Sequence, residues 1–390
     1  MDPRFDILPD RKNTNSVKWS VYKPDVLPMW VADMDFRSPE AVLRALQKEV
    51  DLGVFGYPDG SDELKDVIVK RMAELYHWVI RPEDVVLISG VVTGLNMVAH
   101  LFSKVGGEAL VQIPIYPPFL SAPGNAGLSR VDVEMIHQPD GSYDIDFEAF
   151  EAAITDRTRV FMLCNPHNPV GRVYRRDELE RLAEICLRHN ILICSDEIHC
   201  DLIFSGYHHV PIATLQPEIA HNTITLMAPS KTYNIPGLEC SFAVIPNPEL
   251  RERFEKAGEG MNSWVNLMGL VAGKAAYQDG QDWLSDLMKY LEGNRDFLFD
   301  FVNQHLSGVR MAKPEGTYLG WLDCNDAGIQ GSPYEFFLQN AKVALNDGKA
   351  FGRGAEGFVR LNFGCPRSML EDALQRMKQA LEQLKQPVQS

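Results

Sequence analysis

Six runs of consecutive apolar residues mark the middle of the chain and predict strands. They are VVLI (85–88), ALVQI (109–113), VFML (160–163), ILICS (191–195), TITLM (223–227) and SFAVI (241–245). Helical patterns lie between several of them, as where Leu179, Leu182, Ala183 and Cys186 recur at helical spacing. Continuous apolar strands alternating with helices predict an α/β fold, a mostly parallel sheet covered by helices. Ligands bind such sheets at the carboxyl ends of the strands, so we examine the residues just after each run.

The two ends of the chain follow other patterns. The first forty residues have no steady periodicity and predict an extended arm, after which Ser38 is expected to cap a helix that ends at Gly53. Near the C-terminus, residues 281–306 have a helical pattern and precede GTYLGWLDC and FVRLNFG, which predict strands. A final amphipathic helix carries Leu370, Leu374, Met377, Leu381 and Leu384 on one face, behind an expected capping box of Ser368 and Glu371.

These patterns predict three parts. We expect an N-terminal arm (1–40) that packs with the small domain, a large domain (41–285) and a smaller C-terminal α+β domain (286–390).

Composition and charge narrow the function classes. The 390 residues are 45% hydrophobic and 23% charged with a formal net charge of −15, which indicates a folded protein and argues against nucleic-acid or anionic-membrane partners. No apolar run approaches the roughly 20 residues of a membrane span, and the N-terminus has no signal-peptide core. The seven cysteines include no C-x-x-C pair. We therefore expect a reduced, cytoplasmic protein without disulfides or a metal site.

Two strand ends carry ionisable groups. Lys231 follows TITLM in a short link to the next strand, where burial favours a neutral amine able to form a Schiff base; the alternative is an ordinary lysine in a surface turn. Asp196 follows ILICS and is placed to hold a protonated ring nitrogen, as pyridoxal 5′-phosphate (PLP) requires; a helix N-cap is an equally good interpretation.

Three further strand ends add polar, aromatic and backbone groups. Asn168, in a turned loop with two Asn-Pro pairs, is a candidate donor to the phenolic oxygen of PLP, whereas Asn165 is better explained by turn chemistry. Ser89–Asn96 is a strand–Gly–helix junction that offers free N–H groups to a phosphate. Tyr116 could stack on a planar ring or pack in its loop. Each signal is modest alone, but five strand ends together supply the groups of one cofactor site.

At this point the sequence resembles the fold-type I PLP-dependent enzymes of the class I/II aminotransferase group. The motifs are NPHNPVGR (165–172), SDEIH (195–199), SKTYNIPGL (230–238) and FVRLNFG (358–364), in order over nearly the whole chain. WVADMDF (30–36), GYP (56–58), PIYPPF (114–119) and PEGTYLGWLD (314–323) are similar to the bacterial cystathionine β-lyase branch, C–S lyases of the MalY/PatB type.

This resemblance implies a role for each candidate residue. Lys231 holds PLP covalently and moves the proton at the substrate Cα, Asp196 pairs with the ring nitrogen, and Tyr116 stacks on the ring. The other implied contacts are O3′ with Asn168 and His199 (a tyrosine in many relatives), and phosphate with the Val91 and Val92 amides, Ser230 and the neighbouring subunit's equivalent of Tyr57. Arg360 binds the substrate carboxylate, with Asn168 beside it. The resemblance also implies a homodimer and a small amino-acid substrate.

The expected reaction is α,β-elimination from L-cystathionine or a related cysteine conjugate, giving thiol, pyruvate and ammonia. Many aminotransferases have an arginine eight residues after the Schiff-base lysine, where this chain has Glu239, and this departure favours the lyase branch. Two alternatives stay open: an aminotransferase using the same residues, and a PLP-binding regulatory protein with secondary lyase activity. Asp33 and Asp35 lie in a motif typical of the branch but have no role that follows from the sequence.

Overall fold

The computed structural model describes residues 2–59, 61–262 and 264–385. Its centre is a seven-stranded sheet in which all strands are parallel except Ser241–Val244, which runs antiparallel to both of its neighbours. In spatial order the strands are Val85–Ile88, Ser241–Val244, Thr223–Met227, Leu192–Asp196, Thr158–Cys164, Glu108–Ile113 and Ser129–Glu134. The mostly parallel α/β sheet and all six predicted strands are confirmed. The seventh strand, Ser129–Glu134, was missed because four of its six residues are polar and only Val133 is buried, so it has no continuous apolar run.

Helices cover both faces of the sheet. Two apolar clusters fill the space between the sheet and its helices and join a third core that extends through the C-terminal part of the chain. The helices are Val17–Ser20, Glu40–Leu52, Ser61–Tyr76, Val91–His100, Pro117–Asn125, Phe147–Ala152, Arg176–Arg188, Pro217–His221, Pro248–Ala257, Leu267–Asp279, Gln281–His305, Pro333–Phe336 and Arg367–Leu384. Among the described residues, no helix combines the length and apolar composition needed to cross a membrane.

The C-terminal part has its own small antiparallel sheet. It consists of Leu319–Asp323, Phe358–Asn362 and Asn346–Asp347, and the first two are the strands predicted from GTYLGWLDC and FVRLNFG. The predicted boundary at residue 285 falls inside Gln281–His305, a continuous helix. Two-stranded ladders pair Ile136–His137 with Tyr143–Asp144 and Leu27–Pro28 with Val343–Ala344.

The N-terminal arm lies against the C-terminal part at several points. Besides the Leu27–Pro28 ladder, the Tyr290 hydroxyl donates to Asp6 Oδ1 at 2.7 Å, and Arg4 pairs with Asp286 at 2.7 Å. These contacts attach the arm to the C-terminal part at its first residues and again at Leu27–Pro28.

Two predicted helix starts are wrong, although the helices exist. The first predicted helix begins at Glu40 with Pro39 as its N-cap residue, and the Ser38 hydroxyl instead donates to the Asn234 carbonyl at 3.0 Å. The last helix begins at Arg367, directly after Pro366, so Ser368 lies inside its first turn and forms no capping box. Each proline is the N-cap residue and has an extended ψ (141° at Pro39 and 143° at Pro366), so helical geometry begins at the next residue. Gly53 ends its helix in the left-handed conformation, as expected (φ 70°).

Candidate active site

The carboxyl ends of five parallel strands meet at one edge of the central sheet and enclose a cavity of about 340 Å³. That volume lies within the range of small-molecule sites. Eight of the ten predicted residues line this cavity: Val91, Val92, Tyr116, Asn168, Asp196, His199, Ser230 and Lys231. The shared edge explains why residues far apart in sequence meet here.

Lys231 lies at the centre of the site. Its Nζ donates to the Ala32 carbonyl oxygen at 2.8 Å. Burial, together with the positive charge of Arg360, lowers the pKa of Lys231 to about 8, although Asp33 and Asp196 act in the opposite direction. A large fraction of such an amine is neutral near pH 8, so it is suited to nucleophilic attack and to proton transfer.

Asp196 ends the strand beside the one that precedes Lys231. Its Oδ1 accepts the Ile198 N–H at 3.0 Å, and the carboxyl group is buried. Burial, with a smaller contribution from the charge of Glu197, raises the pKa of Asp196 to about 7. A cation placed beside this carboxylate would remove much of that cost, so the site favours a positively charged ring nitrogen.

Arg360 and Asn168 connect the two parts of the fold. Arg360 is in the small sheet and donates through Nη1 to Asn168 Oδ1 at 2.8 Å. Its Nη2 donates to Asn346 Oδ1 (2.7 Å) and to the Trp30 carbonyl (3.2 Å). Burial lowers the pKa of Arg360 to about 10, and its Nε has no hydrogen-bond partner among the described residues. A buried guanidinium with an unsatisfied donor is well suited to bind a carboxylate.

His199 and Tyr116 complete the lining around the amine. Burial, followed by the charges of Lys231 and Arg360, lowers the pKa of His199 to about 3, so its imidazole is neutral. Its buried Nδ1 has no hydrogen-bond partner in the part of the chain that the structure describes. Burial raises the pKa of Tyr116, which keeps its phenol protonated. A neutral His and an intact Tyr provide polar and aromatic surface without adding charge.

The far end of the cavity is formed by a helix N-terminus. The helix Val91–His100 starts at Gly90, which has no side chain to cap the first amides, and Ser230 lies on the same wall. Gly94 allows this helix to approach the sheet closely, because a Cβ there would lie 2.8 Å from Ile88 and 2.9 Å from Leu226. Free amides at a helix start bind anions. Glu239 also lines the cavity.

Tyr57 lies away from this cavity. Its side chain is 89% exposed and contacts the ring of Trp264, itself 68% exposed, with 5.5 Å between centroids. Phe55 is exposed beside it in the chain. A single subunit therefore does not bring Tyr57 to the site.

The groups that reach the site from the N-terminal arm and from the C-terminal part of the chain were not predicted from the sequence. The Ala32 carbonyl accepts from Lys231 and also from the Tyr318 hydroxyl (2.9 Å), while Trp30 and Asn346 hold Arg360. Every residue has a backbone carbonyl, so the residue types do not indicate which carbonyl faces the site. Asp33 and Asp35, which the sequence left without a role, hold this part of the arm through ion pairs.

A wider groove of about 740 Å³ meets the cavity at Lys231 and Ala32. Its walls come from the N-terminal arm and from the turn after Lys231, and they include Arg11 and Arg37. Lys231 thus lies between an enclosed cavity and an open groove, as expected for a residue that a substrate must reach.

An amine, a buried carboxyl group and the free amides of a helix N-terminus thus meet at one edge of a mostly parallel sheet covered by helices. This is the arrangement of the fold-type I PLP-dependent enzymes. The chain matches the family of class I and II aminotransferases over residues 24–377, and it belongs to that family.

Individual relatives are similar over nearly their full lengths. The chain is 40% identical to cystathionine beta-lyase PatB of Bacillus subtilis, over 97% of this chain and 99% of PatB. Among solved structures, OvoB superimposes with a TM-score of 0.92 at 43% identity, covering 97% and 98% of the two chains. A PLP-bound C–S lyase from Staphylococcus hominis gives a TM-score of 0.90 at 34% identity, covering 97% of each chain.

Proposed function

We propose that this protein is a PLP-dependent C–S lyase. It cleaves L-cystathionine or a related cysteine conjugate by α,β-elimination to a thiol, pyruvate and ammonia. The observation that carries the proposal is the pairing, in one cavity, of an amine with a lowered pKa (Lys231) and a buried carboxyl group with a raised pKa (Asp196). The full-length similarity to a cystathionine beta-lyase and to a PLP-bound C–S lyase selects the lyase within the family.

The groups of the cavity fit PLP one by one. The Lys231 amine matches the aldehyde, and Asp196 matches a protonated ring nitrogen whose charge offsets the cost of burying the carboxylate. The unpartnered His199 Nδ1 and the Asn168 amide match the phenolic oxygen, and Tyr116 provides an aromatic surface for the ring. The Val91 and Val92 amides and the Ser230 hydroxyl match the phosphate, without an arginine at Glu239.

When bound, PLP supplies an electron-accepting ring that stabilises negative charge at the substrate Cα. Residues of the protein bind the substrate and move the protons. Arg360 binds the substrate carboxylate, because its guanidinium is buried and its Nε is unsatisfied. The neutral Lys231 amine takes the Cα proton, and Asp196 holds the proton on the ring nitrogen. The Cβ–S bond then breaks, the thiol leaves, and the three-carbon remainder is hydrolysed to pyruvate and ammonia.

The test is to incubate the PLP-loaded protein with L-cystathionine and without any 2-oxo acid, while measuring pyruvate and free thiol. Continuous formation of both in equal amounts supports the lyase. If neither forms, but adding a 2-oxo acid starts transfer of an amino group, the protein is an aminotransferase and the proposal is wrong. If the protein binds PLP but does neither, the regulatory alternative gains support.

We also propose a homodimer in which Tyr57 reaches the cofactor phosphate of the neighbouring subunit. The support is the exposed apolar surface that includes Tyr57, Phe55 and Trp264, since large exposed apolar patches mark protein interfaces. Subunit complementation tests the proposal. A Tyr57→Ala protein and a Lys231→Ala protein are each impaired alone. Mixed dimers of the two variants regain part of the activity, because one of their two sites is intact. No recovery in verified mixed dimers contradicts this assignment.

The division into an arm (1–40), a large domain (41–285) and a small domain (286–390) remains a proposal. The contacts of Asp6 with Tyr290 and of Leu27–Pro28 with Val343–Ala344 support packing of the arm on the small domain. Limited proteolysis tests the boundaries. A cytoplasmic location is likewise proposed, because all seven cysteines are buried free thiols, and cell fractionation tests it.

A further inference from the structure

One stretch of the N-terminal arm, Trp30–Phe36 (the 30–36 segment), borders the active-site cavity through its backbone. The Ala32 carbonyl accepts from Lys231 Nζ (2.8 Å) and from the Tyr318 hydroxyl (2.9 Å). The Trp30 carbonyl accepts from Arg360 Nη2 at 3.2 Å. The position of this backbone therefore determines where the free amine of Lys231 rests.

The 30–36 segment is held by an ion cluster, which we call the arm cluster: Lys18 and Asp35, which are buried, and Arg11 and Asp33, which are partly exposed. Lys18 Nζ lies 2.6 Å from Asp35 Oδ2, and Arg11 Nη1 lies 2.7 Å from Asp35 Oδ1. Arg11 Nη2 pairs with Asp33 at 2.8 Å. The Lys18 and Asp35 side chains are 1% and 0% exposed. Two cations and two anions thus balance each other beside the active site.

The arm cluster acts on the backbone close to Ala32. Lys18 Nζ also donates to the Asp33 carbonyl at 3.0 Å, and the Asn362 amide donates to the carbonyls of Val31 (2.5 Å) and Asp33 (2.7 Å). The backbone is therefore fixed on both sides of Ala32, and the only carbonyl between those two anchors is the one that accepts from Lys231.

Stability alone does not explain such a cluster. Burying an ion pair costs several kcal/mol of desolvation per ion, and apolar replacements are often as stable. The ion pairs of the arm cluster provide a defined position for the backbone of the 30–36 segment. Asp35 is held by Lys18, by Arg11 and by the Trp19 indole, whose Nε1 donates to Asp35 Oδ1 at 2.8 Å. Asp35 is only three residues from Ala32, so a shift of its carboxylate moves the acceptor carbonyl.

We propose that Asp35, together with Lys18, is a positioning residue for Lys231, acting through the Ala32 carbonyl. The inference rests on the proposed function, in which Lys231 takes the proton from the substrate Cα. In that step the proton moves to Nζ, and the electron pair of the C–H bond stays on the substrate. The amine becomes an ammonium group, and its hydrogen bond to a fixed carbonyl becomes charge-assisted. A preorganised acceptor stabilises this charge without having to reorganise.

The test uses Asp35→Asn, the charge-balanced double variant Lys18→Met/Asp35→Asn, and Asp6→Asn as control. Asp6 anchors the arm at Tyr290, away from the 30–36 segment. In the protein without PLP, labelling of Lys231 by an amine-reactive reagent is followed against pH by peptide mass spectrometry. In the PLP-loaded protein, kcat and KM for L-cystathionine are measured.

For Asp35→Asn we expect the apparent pKa of Lys231 to fall by about one unit, because the ammonium loses a well-placed acceptor. The value of kcat falls about 10-fold, while KM changes less than about twofold, since misplacement affects the proton transfer more than substrate binding. Asp6→Asn leaves both quantities at the wild-type values.

The double variant removes one cation and one anion together, so the net charge near Lys231 is unchanged. It therefore distinguishes a displaced Ala32 carbonyl from a change in the electric field at Lys231. If it retains the lowered pKa and kcat, the effect acts through geometry and the proposal holds. If both return to wild type, the field of the lone cations explains the single variant and the proposal is wrong.

Where Asp35→Asn or the double variant fails to fold, Trp19→Phe decides, because it removes a single hydrogen bond to Asp35. A smaller shift in the same direction supports the proposal, and unchanged labelling and kcat overturn it. The two proposals also fail separately. If the loaded wild type forms no Schiff base with Lys231, the proposed function is wrong, whereas labelling without PLP still reports on the positioning.

Discussion

The two sides of the active-site cavity are built in different ways. On the sheet side, Asp196 ends a strand of the central sheet, and Asn168 and Lys231 lie in the short loops that follow the two neighbouring strands. On the arm side, Ala32 lines the same cavity and its carbonyl accepts from Lys231, while the Trp30 carbonyl accepts from Arg360. Their positions depend on ion pairs and hydrogen bonds from residues distant in sequence.

The two sides of the cavity therefore have different roles in the proposed mechanism: the sheet side carries the reacting groups, and the arm side positions them. The sheet side carries Lys231 and Asp196, whose pKa values are shifted by burial, and the proposed mechanism assigns the chemical steps to these two groups. The arm side only orients the Lys231 amine and the Arg360 guanidinium. Substitutions on the sheet side should therefore abolish steps, whereas substitutions on the arm side should weaken them.

The largest effect is expected for Lys231→Ala. The variant loses both the cofactor linkage and the base, so turnover of L-cystathionine should fall by about 10⁴-fold, at the upper end of what a lost general base costs. The absorbance of the Schiff base should disappear as well. Lys313→Ala is the matched control, because Lys313 pairs with Asp296 on the surface. Normal turnover by Lys231→Ala would falsify the scheme.

The second prediction concerns Asp196→Asn in the protein without PLP. The pKa of Asp196 is raised from 3.8 to about 7, so this group favours the folded state below pH 4, and that contribution is lost as the pH rises to 7. The full loss is on the order of 4 kcal/mol. Asparagine stays neutral. The variant should therefore match the wild type near pH 4 and be more stable at pH 8.

Urea unfolding at pH 4 and at pH 8 measures this difference directly. Asp326→Asn serves as the control because Asp326 is an exposed partner of Arg310. Equal stability of Asp196→Asn and wild type at pH 8 would show that the buried Asp196 carboxylate does not destabilise the protein without PLP. A gain in stability joined to a loss of activity is the pattern expected of a functional group.

The same difference explains how much of the site the sequence could predict. Lys231, Asp196 and Asn168 were predictable because each lies within five residues of the end of an apolar run, and parallel strands bring their carboxyl ends to the same edge of the sheet. The Ala32 carbonyl and the partners of Arg360 depend on long-range contacts, between residues up to 330 positions apart, for which a single sequence has no signal.

At the level of the fold, the buried strands were predictable and the edges of elements were not. The run TITLM corresponds residue for residue to the strand Thr223–Met227, whose five residues are all buried. Ser129–Glu134 has a single buried residue and no continuous apolar run. The last helix begins one residue after Pro366, whose backbone is extended (ψ 143°), so Ser368 lies inside the helix and is not its cap.

The third prediction addresses the residue that joins the two sides. Arg360→Lys keeps a positive charge but loses the planar fork that contacts Asn168, Asn346 and the Trp30 carbonyl. We expect kcat/KM to fall by about 100-fold, mostly through KM, because a lysine cannot bind a carboxylate with two parallel hydrogen bonds. Arg353→Lys, an exposed exchange, is the control. An equal loss with a substrate whose α-carboxylate is esterified would contradict the assignment.

The smallest effect belongs to the arm side. Tyr318→Phe removes the second donor to the Ala32 carbonyl and leaves the ring, which packs edge-on against His199, in place. One hydrogen bond contributes about 1 kcal/mol, so kcat should fall about fivefold with KM unchanged. Tyr22→Phe is the matched control, since the Tyr22 hydroxyl contacts Tyr334 away from the cavity. A loss above about 100-fold would mean that the Tyr318 phenol takes part in proton transfer. No change at all would mean that Lys231 and the neighbouring backbone hold Ala32 without it.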